Sequence, residues 1–231
     1  ILKYRKWSLW DREDISSEVR RLPRDSAVRL VDTYFTGWRE RFLGVAEPSP
    51  WWTPDEFFLP LSDRLKLFSH GWSFVGRIKE LDRLKAFEGQ PDTRVCVISG
   101  RGGVGKSRLL WAWANETGKS NTIRFVSLGS EITPKDLETL PQDPSYLVID
   151  DAHDRSDVLV ILNGVSRWRP ELKLIICTRP YGITRLEDDL TKSGIAFDIE
   201  KLITLDDLRF EDARSLSQEV LSSLNVGGYI Q

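Results

Sequence analysis

From residue 74 onward, short continuous apolar runs alternate with segments whose apolar positions recur every three or four residues. The runs "RVCVISG", "TIRFVSL", "SYLVID", "LKLIICT" and "IAFDIEKLI" have the length and composition of buried strands. Between them lie helical spacings. "FVGRIKELDRLKAF" is a turn followed by a helix with Ile78, Leu81 and Leu84 on one face, and "KSRLLWAWANETG" ends at Gly118. "TPKDLETL" has a Thr cap with Pro in its first turn. "SDVLVILNGVSRW" and "RLEDDLTKSG" are further helices, and "TLDDLRFEDARSLSQEVLSSL" closes as one with Ala213, Leu216, Val220 and Leu224 aligned. Continuous apolar strands alternating with helices predict an α/β fold whose parallel sheet is covered on both faces.

Before residue 74 the pattern changes. "ILKYRKWSLW" has β-type residues, and "DREDISSEVRRL" has an Asp cap and an apolar stripe. "DSAVRLVDTYFTGWRERFLG" places Val28, Val31, Tyr34 or Phe35, Trp38 and Phe42 at helical spacing and stops at Gly44. Residues 1–45 are therefore expected to be mostly helical. Residues 46–60, "AEPSPWWTPDEFFLP", combine prolines with Trp51, Trp52, Phe57 and Phe58. Proline at that density argues against regular structure, and the aromatics argue against a solvated linker. The segment 46–73 is expected to be an ordered strap packed on the domain at 74–205, with 206–231 opening a small helical domain.

Composition changes this picture little. The 231 residues suit one α/β domain with a smaller appendage. A formal net charge of -2 gives no bulk signal for nucleic acid, although "YRK" and "EVRRLPR" are locally cationic. No apolar run approaches the roughly 18 residues of a membrane span, and no signal peptide opens the chain. Cys96 and Cys177 each sit in a strand-like run, as buried reduced thiols do, which fits a cytoplasmic location. The chain starts at Ile1 and contains no Met, so it is expected to be a piece of a longer protein.

One corner carries specific chemistry. Gly100 to Ser107 spells GxxxxGKS between a strand and a helix, the phosphate-binding loop pattern. Gly100, Gly102, Gly103, Val104 and Gly105 let successive N–H groups turn toward phosphate oxygens, and the helix starting at Lys106 aims its positive end at the same anion. Lys106 supplies a mobile charge, Ser107 a hydroxyl for Mg²⁺, and Arg108 lies in the same first turn. In "YLVIDDAHD", Asp150 and Asp151 emerge at a strand tip. Asp150 is the candidate for the metal shell and Asp151 for taking a proton from the attacking water. A helix-capping role is the alternative for either. His153 reads as a polar loop residue. Guanine-specific proteins of this kind use an Asn-Lys-x-Asp element, which is absent, so ATP or ADP is the expected ligand.

Further segments match one family. "FVGR" precedes the loop, "LIICTRP" ends a strand in Thr-Arg, and "ITLDDLRFEDARSL" follows the last strand. With "GRGGVGKS" and "LVIDDAHD", these resemble the STAND class of signal-transducing P-loop ATPases, near the NB-ARC and NACHT types. The resemblance covers roughly 74 to 225. It implies a P-loop NTPase fold of ASCE type with sheet order 5-1-4-3-2, the strand at 172–177 lying between the P-loop strand and the Asp150 strand. It implies that Val75 and Arg77 contact the adenine and that Arg179 reads the γ-phosphate. Residues 1–45 are faintly similar to the tail of restriction-endonuclease-like domains fused ahead of such ATPases in bacterial defence proteins. The alternative is a helical linker domain.

Two functions follow, with a nucleotide-stabilised scaffold as a third, non-enzymatic alternative. One is a switch that holds ADP at rest, exchanges it on sensing a ligand, hydrolyses ATP slowly and self-associates through its ATPase domain. Its effector and sensor domains would be on the same polypeptide, and nucleic acid would be met through the effector. The other is an AAA+-like motor or loader acting on DNA or protein. That would need an arginine from a neighbouring subunit, for which Arg167, Arg169 and Arg185 are candidates.

Overall fold

The computed structural model describes residues 19, 22, 24–35, 49–59, 73–116, 120–128 and 131–223. The chain divides into two compact units, residues 1–49 and 50–231. In the first, helix α1 (Arg24–Tyr34) carries a small apolar cluster in which Ala27 and Val31 are buried with Val19. The strand-like start at 1–10 and the helical positions Trp38 and Phe42 lie outside the described residues.

The second unit holds a six-stranded sheet built from β1 (Trp51–Trp52), β2 (Val95–Gly100), β3 (Ile123–Val126), β4 (Tyr146–Ile149), β5 (Lys173–Thr178) and β6 (Ile203–Leu205), in the order β1-β3-β4-β5-β2-β6. β3, β4, β5, β2 and β6 are mutually parallel. β5 lies between β2 and β4, pairing Val97 with Ile176 on one side and Ile149 with Ile176 on the other. The described order differs from the expected five strands by the added edge strand β1, which pairs antiparallel with β3.

Alternation along the strands splits the core between the two faces of the sheet. Val95, Val97, Leu147, Ile149, Leu174 and Ile176 pack with α5 (Pro134–Leu137), α6 (Val158–Trp168) and α7 (Ile183–Lys192). Cys96, Ile98, Val148, Ile175 and Cys177 pack with α2 (Pro54–Phe58), α3 (Ile78–Glu88) and α4 (Lys106–Glu116). Strands buried on both faces cannot alternate apolar with polar, which is why they read as unbroken apolar runs.

Three expectations need correction. Residues 51–58 do form regular structure. Thr53 caps α2 by accepting from the Glu56 N–H while the Glu56 carboxylate accepts from the Thr53 N–H, and Pro54 sits where its missing donor does no harm. Phe57 stacks on Phe125 with ring centroids 4.4 Å apart, and the Trp51 indole N–H donates to the Thr139 hydroxyl at 3.0 Å. The last strand is Ile203–Leu205, not 195–203: the Asp198 carboxylate accepts from the Glu200 N–H and turns the chain into a short 3₁₀ helix, Ile199–Lys201. The closing helix α8 is Phe210–Ser223, starting later than "TLDD" because Thr204 and Leu205 belong to the sheet. Ala213, Leu216 and Val220 share one half-buried face of it.

Candidate functional site

β2 ends at Gly100 and α4 begins at Lys106. Gly103 (φ +76°) and Gly105 (φ +102°) take left-handed conformations, and a Cβ on either would meet nothing within 4 Å. Glycine is needed there for backbone shape. Gly100 is needed for space, since a Cβ there would lie 2.7 Å from Val104 Cγ1 and 3.0 Å from the Leu205 carbonyl oxygen. The loop therefore sits tight against β6 on one side and open on the other.

Lys106 is only 6% exposed. Its Nζ donates to the carbonyls of Gly100 at 3.0 Å and Arg101 at 3.1 Å, two of the three donors an ammonium carries. The Ser107 hydroxyl donates to Asp150 Oδ2 at 2.6 Å, and the Asp151 N–H donates to Asp150 Oδ1 at 3.0 Å. Burial raises the Asp150 carboxyl above its ordinary value, with the Ser107 hydrogen bond opposing and the Asp151 charge adding to the rise. Asp151 follows in the left-handed region at φ +48°, ψ 42°, a conformation worth about 1–3 kcal/mol of strain for a side-chain-bearing residue. Such strain persists only where surrounding structure fixes it.

Arg179 leaves β5 one residue after Thr178. Its guanidinium Cζ comes within 3.6 Å of where a Cβ on Gly102 would stand, and its buried Nε has no hydrogen-bond partner. Arg77, 5% exposed, donates to the carbonyls of Val104 at 3.2 Å and of Asp206, and pairs with Glu80 at 3.4 Å. Its guanidinium thus braces the loop to the chain leaving β6. Arg108 lies over the Trp111 ring at 4.2 Å and faces Phe74 at 5.6 Å. Burial lowers it to about 10 against the pull of Glu219, so it keeps its charge at neutral pH.

These side chains converge on one cleft of about 360 Å³. Val75, Arg77, Gly102 through Arg108, Asp151 and Arg179 line it; Leu208, with Leu216 and Val220 of α8, supplies an apolar wall. The carboxylate of Glu219, also on α8, accepts from the Ser73 N–H at 3.1 Å. Gly100 and Asp150 are buried and do not line the cleft. The α8 wall was unpredicted as part of the site; the 216/220 spacing marked it only as an apolar stripe.

Two sequence readings fail on burial. Arg169 does not face outward: it is 9% exposed, and its guanidinium donates to the carbonyls of Pro141, Gln142 and Pro144 and to the Glu171 carboxylate. The His153 side chain is fully buried rather than a polar loop group. Arg167 is exposed, and Arg185 donates to the Arg155 carbonyl at 3.0 Å.

Among the described residues no three His, Cys, Asp or Glu side chains gather as a metal cage. No helix among them is long and apolar enough to cross a membrane.

The parallel sheet with β5 inserted between β2 and β4, and the glycine loop between β2 and α4, give the fold of P-loop NTPases, and solved structures share it. Cdc6p from Pyrobaculum aerophilum superimposes with a TM-score of 0.51 at 16% identity, over 70% of this chain and 53% of that one. The Saccharomyces cerevisiae Hsp104:casein complex in its extended conformation gives 0.50 at 12% identity, over 69% and 32%. Closed-state Hsp104 with ATPγS and FITC casein gives 0.50 at 12%, over 66% and 30%. The chain thus spans about half or less of each of those chains. No family model matches it, and no curated protein does.

Proposed function

We propose that this chain contains the ATP/ADP-binding switch domain of a STAND-type signalling ATPase. One observation carries the reading: a single cleft is walled on one side by the anion loop with Arg179 and on the other by α8. A nucleotide there would touch both walls, with its base against Val75, Leu216 and Val220 and its phosphates on the loop. The γ-phosphate would reach Arg179, so ATP and ADP would favour different positions of α8. A ligand shifts a two-state element only through such differential contact.

The donors also fit Mg²⁺. A hydroxyl and a carboxylate 2.6 Å apart are hard oxygen ligands, and Mg²⁺ takes one or two of these alongside phosphate oxygens rather than a protein cage. Ser107 and Asp150 would hold it, and when bound it would neutralise charge on the phosphates. Lys106 would turn a donor to the outer phosphates. Asp151 would accept a proton from water as the water oxygen bonds to the γ-phosphorus and the bond to the bridging oxygen breaks. Turnover would be slow, since the strand tip offers Asp rather than the longer Glu.

The resemblance of the motifs extends the proposal to a cytoplasmic protein that self-associates through this domain. It would drive an effector on the same polypeptide, a nuclease in antiviral defence being the form implied. The likeness to Cdc6p and Hsp104, the latter solved with casein, favours a second reading: a motor or loader acting on DNA or protein. Denaturing the purified protein and identifying the released nucleotide, alongside a turnover assay, separates them. Retained ADP with negligible turnover fits the switch. Fast turnover stimulated by DNA or unfolded protein contradicts it.

A further inference from the structure

The acidic strand tip continues through Ala152 to His153 and Asp154. The His153 side chain is 0% exposed, and neither ring nitrogen has a hydrogen-bond partner. Two buried, unpartnered polar atoms cost stability, so the ring's surroundings call for a reason. Nδ1 lies 3.9 Å from Asp151 Oδ1, and Nε2 lies 3.3 Å from Asp154 Oδ2 without hydrogen-bond alignment. Tyr181 meets the ring edge-on at 5.4 Å. Gly182 closes the other side: a Cβ there would stand 2.8 Å from His153 Cβ and 2.4 Å from the Thr178 hydroxyl. The imidazole is thus wedged between the turn that follows Asp151 and the turn that follows Arg179, an acidic and a basic residue of the cleft.

A neutral imidazole has one N–H. It can donate to Asp151 or to Asp154, and a closure of about 1 Å would bring Nδ1 into bonding range of Asp151. We propose that His153 is a positioning residue for Asp151. Its Nδ1–H fixes one carboxylate oxygen, leaving the other turned to the cleft, and its packing on Gly182 ties that orientation to the strand end carrying Arg179. The ring keeps its own proton; the proton released by water goes to Asp151. This rests on the reading of the cleft as an ATPase site.

Substitutions separate a donor from a filler. Asn places an N–H near the position of Nδ1, Gln near that of Nε2, and Phe fills the volume with no donor. His153→Phe and His153→Gln should lower kcat about tenfold or more with ATP affinity within twofold, and His153→Asn should recover most of it. Equal losses in all three would make the ring a packing element and overturn the proposal. A second readout needs no turnover. His70 is the other histidine of the chain, so His70→Gln leaves a single ring for ¹⁵N–¹H spectroscopy. The Nδ1 resonance should move more on Asp151→Asn than on Asp154→Asn, both without nucleotide and with a non-hydrolysable ATP analogue and Mg²⁺. No response to Asp151→Asn overturns the proposal. If the wild-type protein binds no nucleotide, the ATPase reading falls, and the nucleotide-free spectra still decide whether His153 engages Asp151.

Discussion

The two ends of the parallel sheet treat the polar donors of their basic side chains in different ways. At the end where the strands begin, donors are matched by main-chain carbonyls. Arg94 donates to the carbonyls of Leu172, Val165 and Arg169. Arg169 clamps the 141–144 turn. Lys173 Nζ donates to the carbonyls of Phe87, Glu88 and Gln90. Burial lowers both Arg94 and Lys173, against the pull of Glu171 and Glu88 respectively. At the end where the strands finish, the matching is incomplete: Arg179 Nε, Arg77 Nε and both His153 nitrogens are buried without partners. Arg94, Arg169 and Lys173, held by carbonyls and by the Glu171 carboxylate, are braces. Arg179, with its Nε left over beside the glycine loop, is the cation that on the proposed reading would meet an anion.

The contrast breaks most sharply at Lys106 and Arg169. Lys106→Ala should weaken ATP binding a hundredfold or more, about 2.7 kcal/mol, while costing less stability than Arg169→Ala. Arg169→Ala strips the donors from the 141–144 carbonyls. It should cost about 3 kcal/mol and lower the melting temperature by roughly 6–12 °C, with ATP affinity within twofold. Calorimetric titration and thermal unfolding of both variants read the two columns. An Arg169 variant of normal stability that loses nucleotide would reverse the assignment of the two ends.

A smaller effect sharpens the same point at Asp150. Burial raises its carboxyl, so between the ordinary carboxylate range and the raised value the fold binds a proton more readily there than the unfolded chain does. Stability from this group therefore falls as pH rises from the ordinary carboxylate range through its raised value. Asp150→Asn removes that slope; its amide oxygen can still accept from the Asp151 N–H while its NH2 donates to the Ser107 hydroxyl, reversing that bond. The nucleotide-free variant should melt up to a few degrees higher than wild type at neutral pH, the gap closing in acid, and should lose the Mg²⁺ dependence of ATP binding. A lower melting temperature at neutral pH would mean that the ionised carboxylate supports the fold.

The parallel strands were legible because burial on both faces leaves uninterrupted apolar runs, and the loop because left-handed turns demand Gly103 and Gly105. β1 was not legible. Two tryptophans become a strand only by pairing with Phe125 and Val126 of β3, a contact between distant segments that no local period reports. The last strand was misplaced because Ile195 and Phe197 join the core from a loop, so their apolarity mimics a strand. At the site, Ser107 followed from the GxxxxGKS spacing and Asp150 from its place at a strand tip. The bracing by Arg77, the inward Arg169 and the buried His153 did not, since each depends on which loops meet in space. A signal for Arg169 existed in Pro141 and Pro144: a proline-bearing turn offers carbonyls with fewer local donors to satisfy them.

The most direct test concerns Arg179, whose unpartnered Nε beside Gly102 is the feature a γ-phosphate would complete. A hydrogen bond to a charged group is worth about 1.5–3 kcal/mol. Arg179→Ala should therefore weaken a non-hydrolysable ATP analogue roughly ten- to hundredfold and leave ADP within about twofold, measured by calorimetric titration of both nucleotides. Equal losses for both would contradict the account, placing Arg179 at the diphosphate or in the fold and leaving the cleft no means of telling ATP from ADP through it.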